Sequence, residues 1–165
     1  MFARQLLALP KPAVDAVARQ LSARGITANQ ISFAGLGFGL LSALLIAHGD
    51  ITLAIGPLLI NRLLDGVDGA VARYARPTDR GAFLDITLDF LFYAVVPLAF
   101  AFCNPDHNAL AAAVLLASFI GTGTSFLAYA IMAEKRGEKS TAYPSKSFYY
   151  LGGLTEGFET VLCFV

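Results

Sequence analysis

The sequence predicts an all-α integral membrane protein, a polytopic helix bundle, and three observations point there. The 165-residue chain is 56% hydrophobic and only 15% charged, with a mean hydropathy of +0.64; soluble domains carry about 25% charged residues. Its apolar residues are gathered in long uncharged runs, of which at least two reach the roughly 20 residues that a bilayer core demands. Its bases fall at alternate ends of those runs. The same numbers exclude other classes. Twelve Lys+Arg against twelve Asp+Glu leave no basic footprint for nucleic acid. A chain this apolar is no disordered tail, and two cysteines, Cys103 and Cys163, are too few for a disulfide scaffold.

The elements follow in order. Residues 1–25 form no secretory signal: Phe2–Leu9 is too short an apolar core, and Pro10 and Pro12 interrupt it. Val14, Val17, Ala18 and Leu21 recur at helical spacing with Arg19 and Arg24 elsewhere on the wheel, which predicts a juxtamembrane amphipathic helix on the membrane surface. Spans are expected near 31–49, 51–73, 81–103, 109–133 and 148–165. Pro97 is expected to kink the third. The connections near 47–51 and at 104–108 carry no Lys or Arg, whereas Arg73, Arg76, Arg80, Lys135, Arg136, Lys139 and Lys146 mark the opposite ends. The positive-inside rule then places the N-terminus and the 74–80 and 134–147 loops in the cytoplasm. Val165 falls within the fifth apolar run, so that span is expected to be incomplete.

The chemistry lies between residues 65 and 89. Asp65, Asp68, Gly69 and Ala72 fall on one face of a helix, and Gly81, Asp85 and Asp89 on one face of the next. Two neighbouring helices thus present four carboxylates near one membrane boundary. Uncompensated, they would repel strongly or stay protonated. Hard divalent cations remove that conflict, and carboxylates together with substrate phosphates suit Mg²⁺. The interleaved Gly69, Ala72 and Gly81 leave room for a flat base or a diphosphate to approach the helix backbones. Arg73, at a helix end, suits bidentate phosphate recognition.

The pattern Asp65-x2-Asp68-Gly69-x2-Ala72-Arg73-x7-Gly81-x3-Asp85-x3-Asp89 resembles the signature of the CDP-alcohol phosphotransferase (CDP-alcohol phosphatidyltransferase) family of membrane enzymes. The resemblance extends from about Thr27 to the end of the chain, and the stretch from Lys146 to Gly157 is most similar to a poorly characterised bacterial inner-membrane branch. It implies six transmembrane helices with a cytoplasmic juxtamembrane helix, usually in a homodimer, so the sixth helix is expected beyond this sequence. It implies transfer of a phosphatidyl (substituted phosphate) group from a CDP-alcohol, CDP-diacylglycerol above all, to a small alcohol, with release of CMP and help from two Mg²⁺ or Mn²⁺ ions. By the same resemblance Asp65, Asp68, Asp85 and Asp89 are the metal ligands and Asp89 is also the general base. Gly69, Ala72, Arg73, Thr78 and Gly81 fall at the nucleotide and diphosphate side, as does Asn29 in the Thr27–Gln30 element that opens the first span. Nucleic acid is not an expected partner; the lipid bilayer is.

Other features take plainer readings. His48 and His107 fall at the ends remote from the acids and read as solvated loop residues. Gly35-x-Gly37-x-Gly39 follows no strand, which argues against a dinucleotide loop and for a helix-packing face. Residues 121–125 read as packing too, with hydroxyls bonded back to their own helix. Arg62 and Lys146 are candidates for holding a phosphate-bearing acceptor, and Glu156 and Glu159 for lining a polar cavity. The rival reading is a transporter or cation pathway built on the aspartates. It requires polar groups spread through the bilayer, whereas these cluster near one face.

Overall fold

The computed structural model describes residues 11–75 and 78–137. Within them the chain is entirely helical: α1 Lys11–Ala23, α2 Ala28–His48, α3 Ile51–Ala75, α4 Asp79–Cys103 and α5 Pro105–Lys135. The expected span 148–165, together with Lys146, Glu156 and Glu159, lies outside the described residues, as does the start of the expected surface helix.

Local chemistry sets the boundaries. Gly25, at φ 76°, ends α1 in the left-handed region that glycine enters without steric cost. Thr27 then opens α2 with a capping box: its hydroxyl accepts from Gln30 N while the Gln30 side chain accepts from Thr27 N at 2.9 Å. Gly49, at φ 94°, closes α2. Asn104 alone separates α4 from α5. Its side chain accepts from His107 N, and Pro105 takes the first helical position, where its missing N–H costs nothing. The helix therefore starts ahead of the expected 109, because the cap and proline begin it before the apolar run does. α4 continues through the buried Pro97, and α3 contains a second internal proline, Pro57.

Three of these helices, α2, α4 and α5, are long and apolar enough to cross a membrane. α3 is not among them, because Arg62, Asp65, Asp68 and Arg73 occupy its second half. It still runs the depth of the bundle. Ala54 and Leu58 join Ala43, Ile46, Phe92 and Val96 in one apolar cluster, and Ala70 and Val71 join Ile31 and Ala18 in another. The second cluster is how α1 docks, with Val14 and Leu21 packed beside it. The architecture is that of an all-α polytopic membrane protein.

Small residues let the backbones approach. A Cβ on Gly39 would stand 2.8 Å from the Phe92 ring, and one on Gly35 would stand 3.5 Å from Leu64 Cβ. Gly37, between them, faces open space. The packing face is thus the i, i+4 pair Gly35 and Gly39, as helical periodicity requires. On α5, Gly123 receives the Phe90 ring, whereas Gly121 meets nothing. The hydroxyls of Thr124 and Ser125 bond back to Ile120 O at 2.7 Å and Thr122 O at 2.9 Å.

Candidate active site

Between the two apolar clusters lies a polar layer, and the register of three helices creates it. On α2 it holds Ser32 and Gly35; on α3 Asn61, Arg62, Asp65 and Asp68; on α4 Asp85 and Asp89. These residues line a cleft with Leu36 and Leu88 as its apolar wall. α3 enters the layer from the far cluster and α4 enters it from its own N-terminal end. The two pairs of acids, each on one helix face, therefore meet.

Oxygens of Asp65, Asp68 and Asp85 come within 4.8 Å of one another. Asp68 is buried and Asp85 exposed, so the group opens to one side. Ser32 Oγ donates to Asp68 Oδ2 at 2.5 Å. The other oxygen, Asp68 Oδ1, is buried and has no hydrogen-bond partner among the described residues. Such an orphan is costly in a low-dielectric interior. Hard oxygen donors, a carboxylate oxygen awaiting a partner and a mutual approach of this size fit a divalent cation. Mg²⁺ takes its oxygens at about 2.1 Å, so the three carboxylates would draw together around an ion.

Asp89 sits in the same cleft but stands apart from that trio. Arg62 NH1 donates to Asp89 Oδ1 at 2.8 Å and lies 3.8 Å from Asp65 Oδ2. Its Nε donates to Asn61 Oδ1 at 2.8 Å, and NH1 also reaches the Tyr93 hydroxyl at 3.3 Å. Phe92 closes over the guanidinium, with Cζ 4.2 Å from the ring centroid. Asn61 is itself anchored, its Nδ2 donating to Gly35 O at 2.8 Å.

The residues expected at the nucleotide side form a second group, outside the cleft lining. Thr78 caps α4, accepting from Gly81 N at 3.1 Å. A Cβ on Gly81 would meet Thr78 Oγ1 at 3.2 Å and Asn29 Oδ1 at 3.6 Å, so the starts of α2 and α4 bring Asn29, Thr78 and Gly81 together. On α3, a Cβ on Gly69 would stand 3.8 Å from the Arg73 guanidinium, and Ala72 is half-buried nearby. His48 and His107 are exposed at the remote helix ends.

Sequence reasoning did not single out Ser32 or Asn61. A lone amide within Leu58–Leu64 was the available signal, since an amide in an apolar helix needs a partner. Ser32 offered none, being one more small residue one turn past a cap.

Paired acids on two neighbouring helices, spaced by small residues and followed by an arginine, go with a family match that makes the protein a membrane transferase. The chain belongs to the CDP-alcohol phosphatidyltransferase family, which it matches over residues 25–154. It is 50% identical to the inner membrane protein YnjF of Escherichia coli (strain K12) over 165 residues, covering all of this chain and 80% of that relative. No solved structure matches it. Members of the family transfer a phosphatidyl group from a CDP-alcohol to an alcohol within a membrane and depend on divalent metal.

Proposed function

We propose that the protein is a phospholipid-forming transferase that moves the phosphatidyl group of CDP-diacylglycerol onto a small alcohol and releases CMP. The acceptor oxygen attacks the phosphorus that bears the diacylglycerol, the P–O bond to CMP breaks, and the acceptor proton passes to Asp89. Asp65, Asp68, Asp85 and Asp89 would hold two divalent ions, Mg²⁺ or Mn²⁺. Bound there, the ions neutralise the diphosphate and stabilise the leaving CMP. Asn29, Gly69, Ala72, Arg73, Thr78 and Gly81 bind the cytidine and diphosphate side, which keeps the reactive phosphorus over the carboxylates. Ser32 orients Asp68, and Arg62 holds Asp89 before the ions bind.

The observation that carries this reading is the meeting of Asp65, Asp68 and Asp85 across α3 and α4, with one buried Asp68 oxygen unpartnered. The bases at the site end of the bundle support a cytoplasmic N-terminus and a cytoplasm-facing cleft in a bacterial inner membrane. The protein works as a homodimer. The test is CMP release from labelled CDP-diacylglycerol in liposomes, with a panel of acceptor alcohols. Release that requires Mg²⁺ or Mn²⁺ and disappears in Asp65→Asn and Asp89→Asn is expected; metal-independent release, or wild-type rates in both variants, would overturn the reading.

A further inference from the structure

The polar layer holds a cation of its own. Arg62 is deep in the bundle, its side chain only 13% exposed, and its Nε, NH1 and flat face each have a partner. Nε is fixed by Asn61, whose amide is in turn fixed by the Gly35 carbonyl, so the orientation is inherited from the α2 backbone. The flat face rests on Phe92, 1% exposed, which blocks retreat toward the far cluster. NH1 is thereby aimed between two carboxylates, 2.8 Å from Asp89 and 3.8 Å from Asp65. Asp65 is thus shared between this guanidinium and the trio with Asp68 and Asp85.

We propose that Arg62 is a built-in counter-cation that holds the place of the second divalent ion between Asp65 and Asp89. Two ions then differ in what they must displace. The first meets Asp65, Asp68 and Asp85, which lie together and include an oxygen without a partner. The second must compete with a guanidinium that is hydrogen-bonded, stacked and already neutralising Asp89. A buried charge pair resists the removal of either partner, because the one left behind is uncompensated. The second ion therefore binds more weakly, and NH1 moves from Asp89 when it enters. In the absence of the second ion, Arg62 keeps Asp89 from standing as a lone charge in the bundle.

This inference rests on the reading of the four aspartates as metal ligands, and its test separates the two. The full chain, purified in detergent and stripped with EDTA, is titrated with Mn²⁺ while free Mn²⁺ is followed by electron paramagnetic resonance. Wild type is expected to bind one ion tightly and a second at least about tenfold more weakly, as expected for an ion that must dislodge a buried, paired cation. Arg62→Gln should tighten the second ion by about tenfold or more and the first by a clearly smaller factor, since the hydrogen-bonded partner of the guanidinium is Asp89 and Asp65 lies farther from it. Arg62→Lys keeps a cation and should keep two separate affinities. Adding Asp89→Asn to Arg62→Gln should abolish the gain. Retained tight binding of the first ion and a monodisperse elution profile report that the variants are folded.

Equal affinities for both ions in wild type, or a second affinity unmoved in Arg62→Gln, would overturn the role of Arg62 and leave the metal-ligand reading standing. A protein that binds no Mn²⁺ at all would overturn both. Two ions behaving as proposed with no CMP release from CDP-diacylglycerol would support Arg62's role and sink the transferase assignment.

Discussion

α2 and α5 are equally apolar, yet 33% of the most apolar stretch of α2 is buried inside the bundle against 11% of that of α5. What separates them is not greasiness but the small and polar residues placed along one face. α2 offers Gly35, Gly39 and Ser42 at successive turns, and all three are buried against α3 or α4. Ser42 Oγ donates to Ala54 O at 2.9 Å, and Gly35 O receives Asn61. α5 meets α4 through Gly123 against Phe90 and through the ring of Phe119, 5.5 Å from that of Tyr93. Ile120, 67% exposed, and Leu110, 79% exposed, turn outward. In lipid there is no hydrophobic reward for bringing two apolar helices together, so close approach and internal hydrogen bonds decide the packing. The chemistry was built where the packing is tight.

Substitutions that act on one side of this contrast and spare the other should sharpen it. The largest effect belongs to the acids: Asp68→Asn and Asp85→Asn should each lower the rate of CMP release by about 10²–10³-fold or more, with little change in thermal unfolding in detergent. EDTA should do the same, reversibly with added Mg²⁺. Asn61→Leu comes next. It strands Gly35 O and the Arg62 Nε together, so a stability loss of about 1–3 kcal/mol is expected, read as a lower denaturation midpoint. Gly39→Ala forces a Cβ onto the buried Phe92 ring and should cost about 1–3 kcal/mol, whereas Gly37→Ala, which meets nothing, should be neutral. A matching loss at both glycines would break the assignment of the packing face. Thr27→Ala removes the α2 cap and should cost about 1 kcal/mol. The smallest effect is expected on the outer face of α5, where Ile120→Ala should stay within about 0.5 kcal/mol.

Periodicity was enough to put Asp65 with Asp68 and Asp85 with Asp89, because residues on one helix face are fixed by spacing alone. The crossing of the helices was not. Which acid of one pair meets which of the other depends on how α3 and α4 each seat on α2, where Gly39 receives the Phe92 ring of α4 and Gly35 O receives Asn61 of α3. Hence Asp89 could be named from its motif, while its pairing with Arg62 could not. Arg62 reads in the sequence as a candidate for holding a phosphate-bearing acceptor; in the structure five neighbours from α3 and α4 surround it. The start of α5 is legible in the sequence. Asn104 and Pro105 are a cap and a first-turn proline, but apolarity alone placed the span later. α3 shows the opposite case, a helix whose charges lower its apolar score because they are the reason it is there.

The one-residue joint at Asn104 has a consequence for how the two helices move. With no linker, α4 and α5 are joined as a single hairpin. The tip carries Asn104, Asp106, His107 and Asn108, and Asn108 Nδ2 folds back onto Phe100 O at 3.0 Å. Part of the polar load of the tip is thus bonded within the hairpin itself. Both open ends, Asp79 and Lys135, lie away from that tip, so a displacement of α5 is handed to Asp85 and Asp89 through α4 rather than absorbed by a loop.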